Sequence, residues 1–184
     1  MIDAGIDSFK IEGRMKTALY VATVARTYRK AIDDYFVSEE RYRSNLPWYR
    51  EEIAKCTYRQ FTTGFYFGKP DETTQIYDHN TYVKEYVYLG IVGKAEEDGF
   101  VTIEQRNKFS VGEEIEVMKP EGANVPAVVL SIQDEEGNEQ NSAPHPKQMI
   151  RIKLAAAGSP AEGVGNTAAC AQYDILRKKE EESE

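Results

Sequence analysis

The sequence has 184 residues, of which 41% are hydrophobic, and a formal net charge of −8 at neutral pH. This content supports a core of ordinary domain size and excludes a chain that is disordered throughout. No apolar run approaches the roughly 20 residues that span a bilayer, and the first residues lack the order of a secretory signal, so we expect a cytoplasmic protein without a membrane partner.

The residues that usually carry catalysis or bind metals are few. Cys56 and Cys170 lie far apart, no CxxC pair occurs, and the chain has two histidines, His79 and His145. The sequence contains no GxSxG, HExxH or P-loop motif. We therefore expect two reduced, buried thiols, no metal site and no catalytic residue in this chain.

The charge is divided unevenly along the chain. Residues 1–69 contain 12 Lys and Arg against 9 Asp and Glu, a net charge of +3, whereas residues 70–184 contain 11 against 22, a net charge of −11. An acidic surface repels phosphate backbones. An anionic partner is therefore expected to approach the first part and to avoid the second.

The first segment alternates in the manner of a strand. In Ser8–Glu12 the apolar side chains of Phe9 and Ile11 alternate with charged ones, and Gly13 ends the pattern. No residues upstream are available to pair with such a strand. We therefore expect residues 1–16 to be the last strand of a barrel or sheet in a longer protein, frayed in this chain.

Two helices are predicted next. From Thr17 to about Phe36, apolar residues recur at steps of three and four, which predicts a helix whose core face carries Val21, Val24, Ala25, Tyr28, Ala31, Ile32 and Tyr35. The opposite face is predicted to meet solvent and carries Thr23, Arg26, Thr27, Lys30 and Asp34. After a charged loop at 38–45, Pro47 suits the first turn of a second helix from Leu46 to about Cys56.

An aromatic segment follows at Arg59–Pro70, RQFTTGFYFGKP. Such a segment either packs between subdomains or binds a ligand, and packing is favoured. Residues 71–80 are polar and predict a linker over the surface.

The second part of the chain has a period of two. Six short strands are predicted at 85–94, 100–105, 114–118, 125–132, 149–154 and 173–176. Asp98-Gly99 and Glu136–Asn138 are hairpin signals, and a closed barrel would remove exposed edges. Residues 155–171 are expected to form a glycine-rich loop without a dinucleotide fingerprint. The charged residues 178–184 are expected to form a disordered tail.

Three motifs together resemble peptidase family U32, the collagenase-like proteases: GIDSFKIEGRMK at 5–16, YVATVARTYRKAID at 20–33 and RQFTTGFYFGKP at 59–70. The resemblance implies an N-terminal catalytic barrel, absent here, whose cysteines hold an iron–sulfur cluster in the members that modify RNA. Residues 1–16 would be the remnant of its last strand, and no cofactor is expected in this chain itself.

The fold expected is therefore mixed α and β. A two-helix segment with the TTGF motif at 17–70 precedes a small, mainly antiparallel six-stranded β-barrel at 81–177. The run FSVGEEIEV at 109–117 also resembles domain 2 of translation elongation factors.

Four residues are candidates for substrate binding. If the first strand closes a parallel barrel, Glu12 and Arg14 lie at the end where such barrels place active sites, with Arg14 holding an anionic group. The alternative is an ion pair that fixes the turn after the strand. Arg26 and Lys30 lie four apart on one helical face and would contact RNA phosphates. The alternative for this pair is ordinary solvated charge.

Three functions stay open. The first is a non-catalytic accessory, substrate-binding domain of a U32 peptidase, a hydrolase, which positions a polypeptide or RNA over its own N-terminal catalytic domain. The second is the accessory domain of an iron–sulfur RNA-modifying enzyme that hydroxylates a pyrimidine in tRNA or rRNA. The third is a protein-assembly module with Tyr82, Tyr86 and Tyr88 exposed on one face, although these tyrosines would equally fit the barrel interior.

Overall fold

The computed structural model describes residues 1–56, 66–69, 86–157 and 170–180. The chain divides into two compact units, Met1–Tyr58 and Arg59–Glu184, named here the helical unit and the barrel unit. Among the residues described, no helix is long and apolar enough to cross a membrane.

Three α-helices form the helical unit: α1 Ala18–Val37, α2 Glu39–Ser44 and α3 Leu46–Ala54. The Thr17 hydroxyl accepts a hydrogen bond from the Tyr20 amide at 3.3 Å and so caps the start of α1. The Ser38 hydroxyl caps α2 by accepting from the Arg41 amide at 3.1 Å. The predictions of α1 and α3 are confirmed. The loop predicted between them is instead the short helix α2, because Ser38 starts a new helix where the apolar period ends.

The segment before α1 contains no strand. Ile2–Ala4 form a single 3₁₀ turn, and residues 8–12 have no regular secondary structure. A strand needs a neighbour to pair with its amides and carbonyls, and the described part of the helical unit offers only helices and turns. The irregular backbone of residues 8–12 agrees with the fraying expected of a strand without its partner, and the assignment of residues 1–16 to the last strand of a larger barrel stays a prediction.

The buried face of α1 is the opposite of the one predicted. Its buried residues are Leu19, Thr23, Val24, Thr27 and Asp34. Of the predicted core face only Val24 belongs to this group, while Val21 and Tyr28 are 48% and 47% exposed. The prediction assumed that the apolar face of α1 would be buried. In this chain the face that carries Thr23, Thr27 and Asp34 is buried instead.

The described residues of the barrel unit form nine strands: β1 Tyr86–Ala95, β2 Val101–Gln105, β3 Phe109–Ser110, β4 Glu114–Met118, β5 Val125–Gln133, β6 Glu139–Gln140, β7 Ser142–Ala143, β8 Met149–Ala156 and β9 Ile175–Lys179. Six of them close a ring in the order β1-β2-β8-β5-β4-β9, and every pairing in it is antiparallel. Strand β6 extends β5, and β3 pairs with β7 as a separate two-stranded sheet. The predicted six-stranded antiparallel barrel is confirmed.

The apolar residues that alternate along the predicted strands point into the barrel and fill its core. In β2 the residues Val101, Ile103 and Gln105 are buried and the two between them are half-buried. Gly90 in β1 is required by a close approach, because a Cβ there would lie 2.7 Å from the Glu104 carbonyl oxygen of β2. The hairpin signals are confirmed as well, since Gly99 and Gly137 have φ of 84° and 87°.

The last strand runs further than predicted. Strand β9 continues to Lys179, so residues 178 and 179, predicted to begin a disordered tail, are in the sheet. The charged sequence concealed this strand because Arg177, in its middle, is fully buried. Four predicted features lie partly or wholly outside the described residues: the TTGF motif, the linker at 71–80, most of the glycine-rich loop and the end of the tail.

Candidate functional site

Glu12 and Arg14 lie together in the exposed turn before α1. The Glu12 carboxylate accepts a hydrogen bond from the Arg14 backbone amide at 2.9 Å. The contact fixes the backbone of the turn, and it differs from the ion pair considered as an alternative because the Arg14 guanidinium takes no part in it. Lys16 lies nearby with its ammonium 5.3 Å from the centre of the Tyr20 ring.

Arg26 is buried rather than outward-facing. Its Nη1 lies 3.4 Å from Glu52 Oε1, and the two side chains are only 7% and 1% exposed. The guanidinium also lies 5.5 Å from the centre of the Trp48 ring. The prediction that Arg26 and Lys30 turn outward together is therefore wrong for Arg26, because the face that carries it packs on α3.

Lys30 belongs to a second polar group, the Asp34 cluster, made of Asp34 and its four hydrogen-bond donors. The Asp34 carboxylate accepts from Lys30 at 2.8 Å, from Arg41 at 2.8 Å, from Asn45 at 2.8 Å and from Tyr49 at 2.7 Å. These donors come from all three helices. The cluster therefore ties α1, α2 and α3 together at one point.

The electrostatics of the Asp34 cluster favour its charged form. Burial alone would raise the pKa of Asp34, but hydrogen bonds from Lys30, Tyr49 and Asn45 outweigh it and hold that pKa well below its usual range. Burial, together with donation to Asp34, raises the pKa of Tyr49. The carboxylate is thus held ionised and the phenol neutral, an arrangement that supports the helix junction and leaves no proton poised for transfer near neutral pH.

Sequence reasoning missed this cluster, although a signal was present. Arg26, Lys30 and Asp34 follow one another at steps of four, on the same stripe as Leu19 and Thr23. A stripe that mixes Leu and Thr with alternating charges fits a buried polar network as well as it fits a solvated face.

Apolar side chains remain exposed on the helical unit. They are 41% exposed or more and comprise Met1, Ile6, Ile11, Met15, Val21, Tyr28, Phe36 and Val37. A cavity of about 290 Å³ lies beside them, lined by Phe9, Tyr28, Ile32, Tyr35 and Tyr42 among others. An apolar surface of this extent is typical of a face that another domain covers.

The barrel unit holds its own buried charge. The fully buried Arg177 side chain donates from Nε to Glu116 Oε1 at 2.7 Å, and its guanidinium lies 5.1 Å from the centre of the Tyr86 ring. Tyr88 is also buried. These two tyrosines therefore do not present the exposed aromatic face expected of an assembly module, and Tyr82 lies outside the described residues.

Neither cysteine has the environment of a nucleophile. Cys56 is buried in the helical unit and donates to the Ile53 carbonyl at 3.0 Å. Burial raises the pKa of the Cys170 thiol to about 11, and the nearby Lys119 offsets only part of that effect. Over the described ranges, no group of three or more His, Cys, Asp or Glu side chains could hold a metal ion.

Two protein-family models match this chain, one after the other. Residues 1–76 match peptidase family U32, and residues 84–177 match the peptidase family U32 C-terminal domain. The chain belongs to peptidase family U32. The helical unit of this U32 chain thus falls within the first match, and the β-barrel falls within the match to the C-terminal domain.

Several U32 relatives are named for RNA chemistry. The chain is 42% identical over 155 residues to tRNA hydroxylation protein P1 of Bacillus subtilis, which covers 84% of this chain and 36% of that protein. It is 30% identical over 141 residues to tRNA hydroxylation protein P of Escherichia coli, covering 76% and 30%. This U32 chain therefore spans about a third of the length of these relatives.

Other similar proteins are named as a collagenase or as a U32 peptidase. The chain is 40% identical over 93 residues to a collagenase of Porphyromonas gingivalis, covering 50% of this chain and 26% of that protein. The crystallised C-terminal domain of a U32 family protein from Geobacillus thermoleovorans is 32% identical, with a TM-score of 0.39, and covers 51% of this chain and 92% of that one.

Proposed function

We propose that this chain forms the C-terminal part of a tRNA hydroxylation protein, in which it helps to hold the tRNA and does not itself carry out chemistry. The observation that carries the proposal is the 42% identity to the Bacillus subtilis protein, which extends over most of the chain. Proteolysis, which the sequence alone put first, becomes the second candidate.

The assignment of a non-catalytic role rests on the side chains. The two cysteines lie in different units, and the thiol of Cys170 is strongly disfavoured as a thiolate. An iron–sulfur cluster needs several closely spaced cysteines, so the described residues do not provide the ligands for one. The hydroxylation chemistry is therefore assigned to the part of the relatives that this chain does not span.

The partner proposed for the helical unit is the rest of its own U32 domain. The first family match includes the whole helical unit, and three of the α1 residues predicted to form a core, Val21, Ala25 and Tyr28, are left exposed. Covering them with the remaining U32 domain would bury the face that the sequence marks as core. The polar face of α1 would keep its contacts with α3.

The test is complementation by the full-length protein that contains this chain. It is expressed in a bacterium that lacks its own tRNA hydroxylation proteins, and tRNA nucleosides are measured by mass spectrometry. We expect the hydroxylated nucleoside to return, and to fall sharply when residues 84–177 are deleted from an otherwise stable protein. Absence of the nucleoside with a folded, expressed protein would contradict the proposal.

The second candidate, proteolysis, is favoured by the similarity to the Porphyromonas gingivalis collagenase. It is tested on the same full-length protein with gelatin, and a heat-inactivated sample is the control. Cleavage above that control, together with an unchanged nucleoside profile, would favour the peptidase.

A further inference from the structure

Two loops of the barrel unit meet at one end of the barrel. They are residues 106–108, between β2 and β3, and residues 144–148, between β7 and β8, and together they are named the basic loop pair. The Lys147 amide donates to the Gln105 carbonyl at 2.7 Å, and the Gln105 amide donates to the Gln148 carbonyl at 2.9 Å. Pairing of Phe109 with Ala143 joins the loops at their other ends. The two loops are therefore held side by side by the backbone.

The basic loop pair is cationic on an acidic barrel. It presents the exposed side chains of Arg106, Lys108 and Lys147. Arg106 pairs with Glu104 at 2.9 Å, but neither Lys108 nor Lys147 forms a salt bridge with any residue that the structure describes. Elsewhere in residues 86–157 and 170–180 there are 7 Lys and Arg against 14 Asp and Glu. Positive charge is thus concentrated at these loops.

Unmet hydrogen-bonding groups lie at the same place. Among the described residues, four buried side-chain polar atoms have no hydrogen-bond partner, and three of them are Tyr88 OH, Gln105 Oε1 and Gln148 Oε1. Tyr88 adjoins the loops, because the Asn107 side chain donates to its carbonyl at 2.6 Å. Each such group costs about 1–3 kcal/mol of stability. The three atoms are buried beneath the basic loop pair, so they mark incomplete hydrogen bonding inside this end of the barrel and do not themselves face a partner.

The backbone of the second loop is also strained. Lys147 has φ of 68°, a left-handed conformation that non-glycine residues rarely adopt. Strain of this kind concentrates at binding and catalytic sites. Here it fixes the direction in which the chain leaves the loop, next to the Gln105 carbonyl.

We propose that the basic loop pair binds RNA, an inference that rests on the proposed function. The three exposed cations match the phosphate oxygens of a nucleic-acid backbone, which supply much of the affinity of a protein for RNA. The position differs from the one expected from net charge alone. A total of −11 for the second part of the chain conceals a local positive surface.

The test is a tRNA-binding measurement on this chain over a salt series. The variant Lys108→Glu with Lys147→Glu reverses two charges of the basic loop pair. The matched control, Lys94→Glu with Lys153→Glu, makes the same change of charge at the other end of the barrel. Circular dichroism of each variant checks that the barrel is folded.

We expect the loop variant to bind tRNA at least tenfold more weakly than the control, with a salt slope smaller by about 1 to 2, because each phosphate contact contributes to that slope. Equal affinities and slopes for the two variants would overturn the inference. Equal loss of binding to polyglutamate and to tRNA would also overturn it, because the surface would then be a general anion site.

The two proposals fail separately. If the full-length protein restores hydroxylated tRNA and the loop variant binds tRNA like the control, the inference is wrong and the proposed function stands. If the loop variant loses tRNA binding but the full-length protein never hydroxylates tRNA, the RNA surface stands and the proposed chemistry is wrong.

Discussion

The guanidinium of Arg26 lies 3.4 Å from the carboxylate of Glu52, with the two side chains 7% and 1% exposed. The pair joins the middle of α1 to α3. A buried pair of this kind is sensitive to the loss of either partner, because the remaining charge cannot reach water.

The first prediction follows from this pair. Replacing Glu52 with Gln should lower the free energy of unfolding of the helical unit by about 3 kcal/mol, because the buried carboxylate that pairs with both Arg26 and Lys55 loses its charge. Trp48 is the single tryptophan of the chain and lies in α3, so its fluorescence during a urea titration reports on this unit.

The control for Glu52 is its neighbour. Glu51 has a 73% exposed side chain and lies 3.7 Å from Lys55, so Glu51→Gln should change stability by less than about 0.5 kcal/mol. Similar midpoints for the two variants would mean that the Arg26–Glu52 pair does not stabilise the helix junction.

The helical unit shows where sequence reasoning succeeds and where it stops. The steps of three and four located α1, and Thr17 and Ser38 mark its ends, because period and capping are local properties. The direction in which α1 faces is not local. It depends on partners such as Glu52 and Tyr49 in α3, which no periodicity within α1 can reveal.

The second prediction concerns pH. The pKa of Asp34 is lowered in the folded protein, so its contribution to stability is complete above the unfolded value of 3.8 and is lost as the pH falls below it, toward the folded pKa. We expect the Trp48 signal to show acid unfolding that begins below about pH 4. The variant Asp34→Asn should be less stable by about 2 kcal/mol at pH 7 and lose less of that stability in acid.

Asp33 provides the comparison for Asp34. Its side chain is 61% exposed and pairs with the equally exposed Arg29 one turn earlier in α1. The variant Asp33→Asn should therefore keep the acid transition of the unmodified chain. If Asp34→Asn unfolds in acid at the same pH as the unmodified chain, the Asp34 cluster does not control the acid unfolding.

The third prediction concerns the end of the barrel. Replacing the fully buried Arg177 with Met keeps much of the side-chain volume but removes the partner of Glu116, and should destabilise the barrel by about 3 kcal/mol. Hydrogen exchange of peptides from β4 and β9 would measure this. The exposed Lys179 on the same strand is the control, and Lys179→Met should be nearly neutral. A disordered tail beginning at Arg177 would make both variants neutral.

The fourth prediction concerns the thiol of Cys170. With a pKa raised to about 11, roughly a thousandth of the thiol is ionised at pH 8, compared with about a quarter for an ordinary cysteine. Iodoacetamide should therefore modify Cys170 about two orders of magnitude more slowly than a cysteine introduced by Gln172→Cys, which is exposed in the same loop. Equal rates would mean that Cys170 is accessible and activated.

The barrel was more predictable than the surface it carries. The alternation of apolar and polar residues predicted the strands, and glycine predicted the hairpin turns, because both signals depend only on residues adjacent in sequence. The basic loop pair was not predicted, because Lys108 and Lys147 lie 39 positions apart in the sequence and come together through the pairing of β3 with β7 and the backbone hydrogen bonds of Gln105. The net charge of −11 over residues 70–184 does not show that these two lysines lie close together.

Strand β9 lies between β4 and β1 in the ring, although it comes last in sequence among the strands of the described residues. Its pairing with β4 brings Arg177 beside Glu116, 61 residues earlier. During synthesis the ring cannot close until Ile175–Lys179 have left the ribosome, and until then β1 and β4 each expose an unpaired edge. The sheet is therefore open to pairing with other chains until these five residues have emerged and paired with β1 and β4.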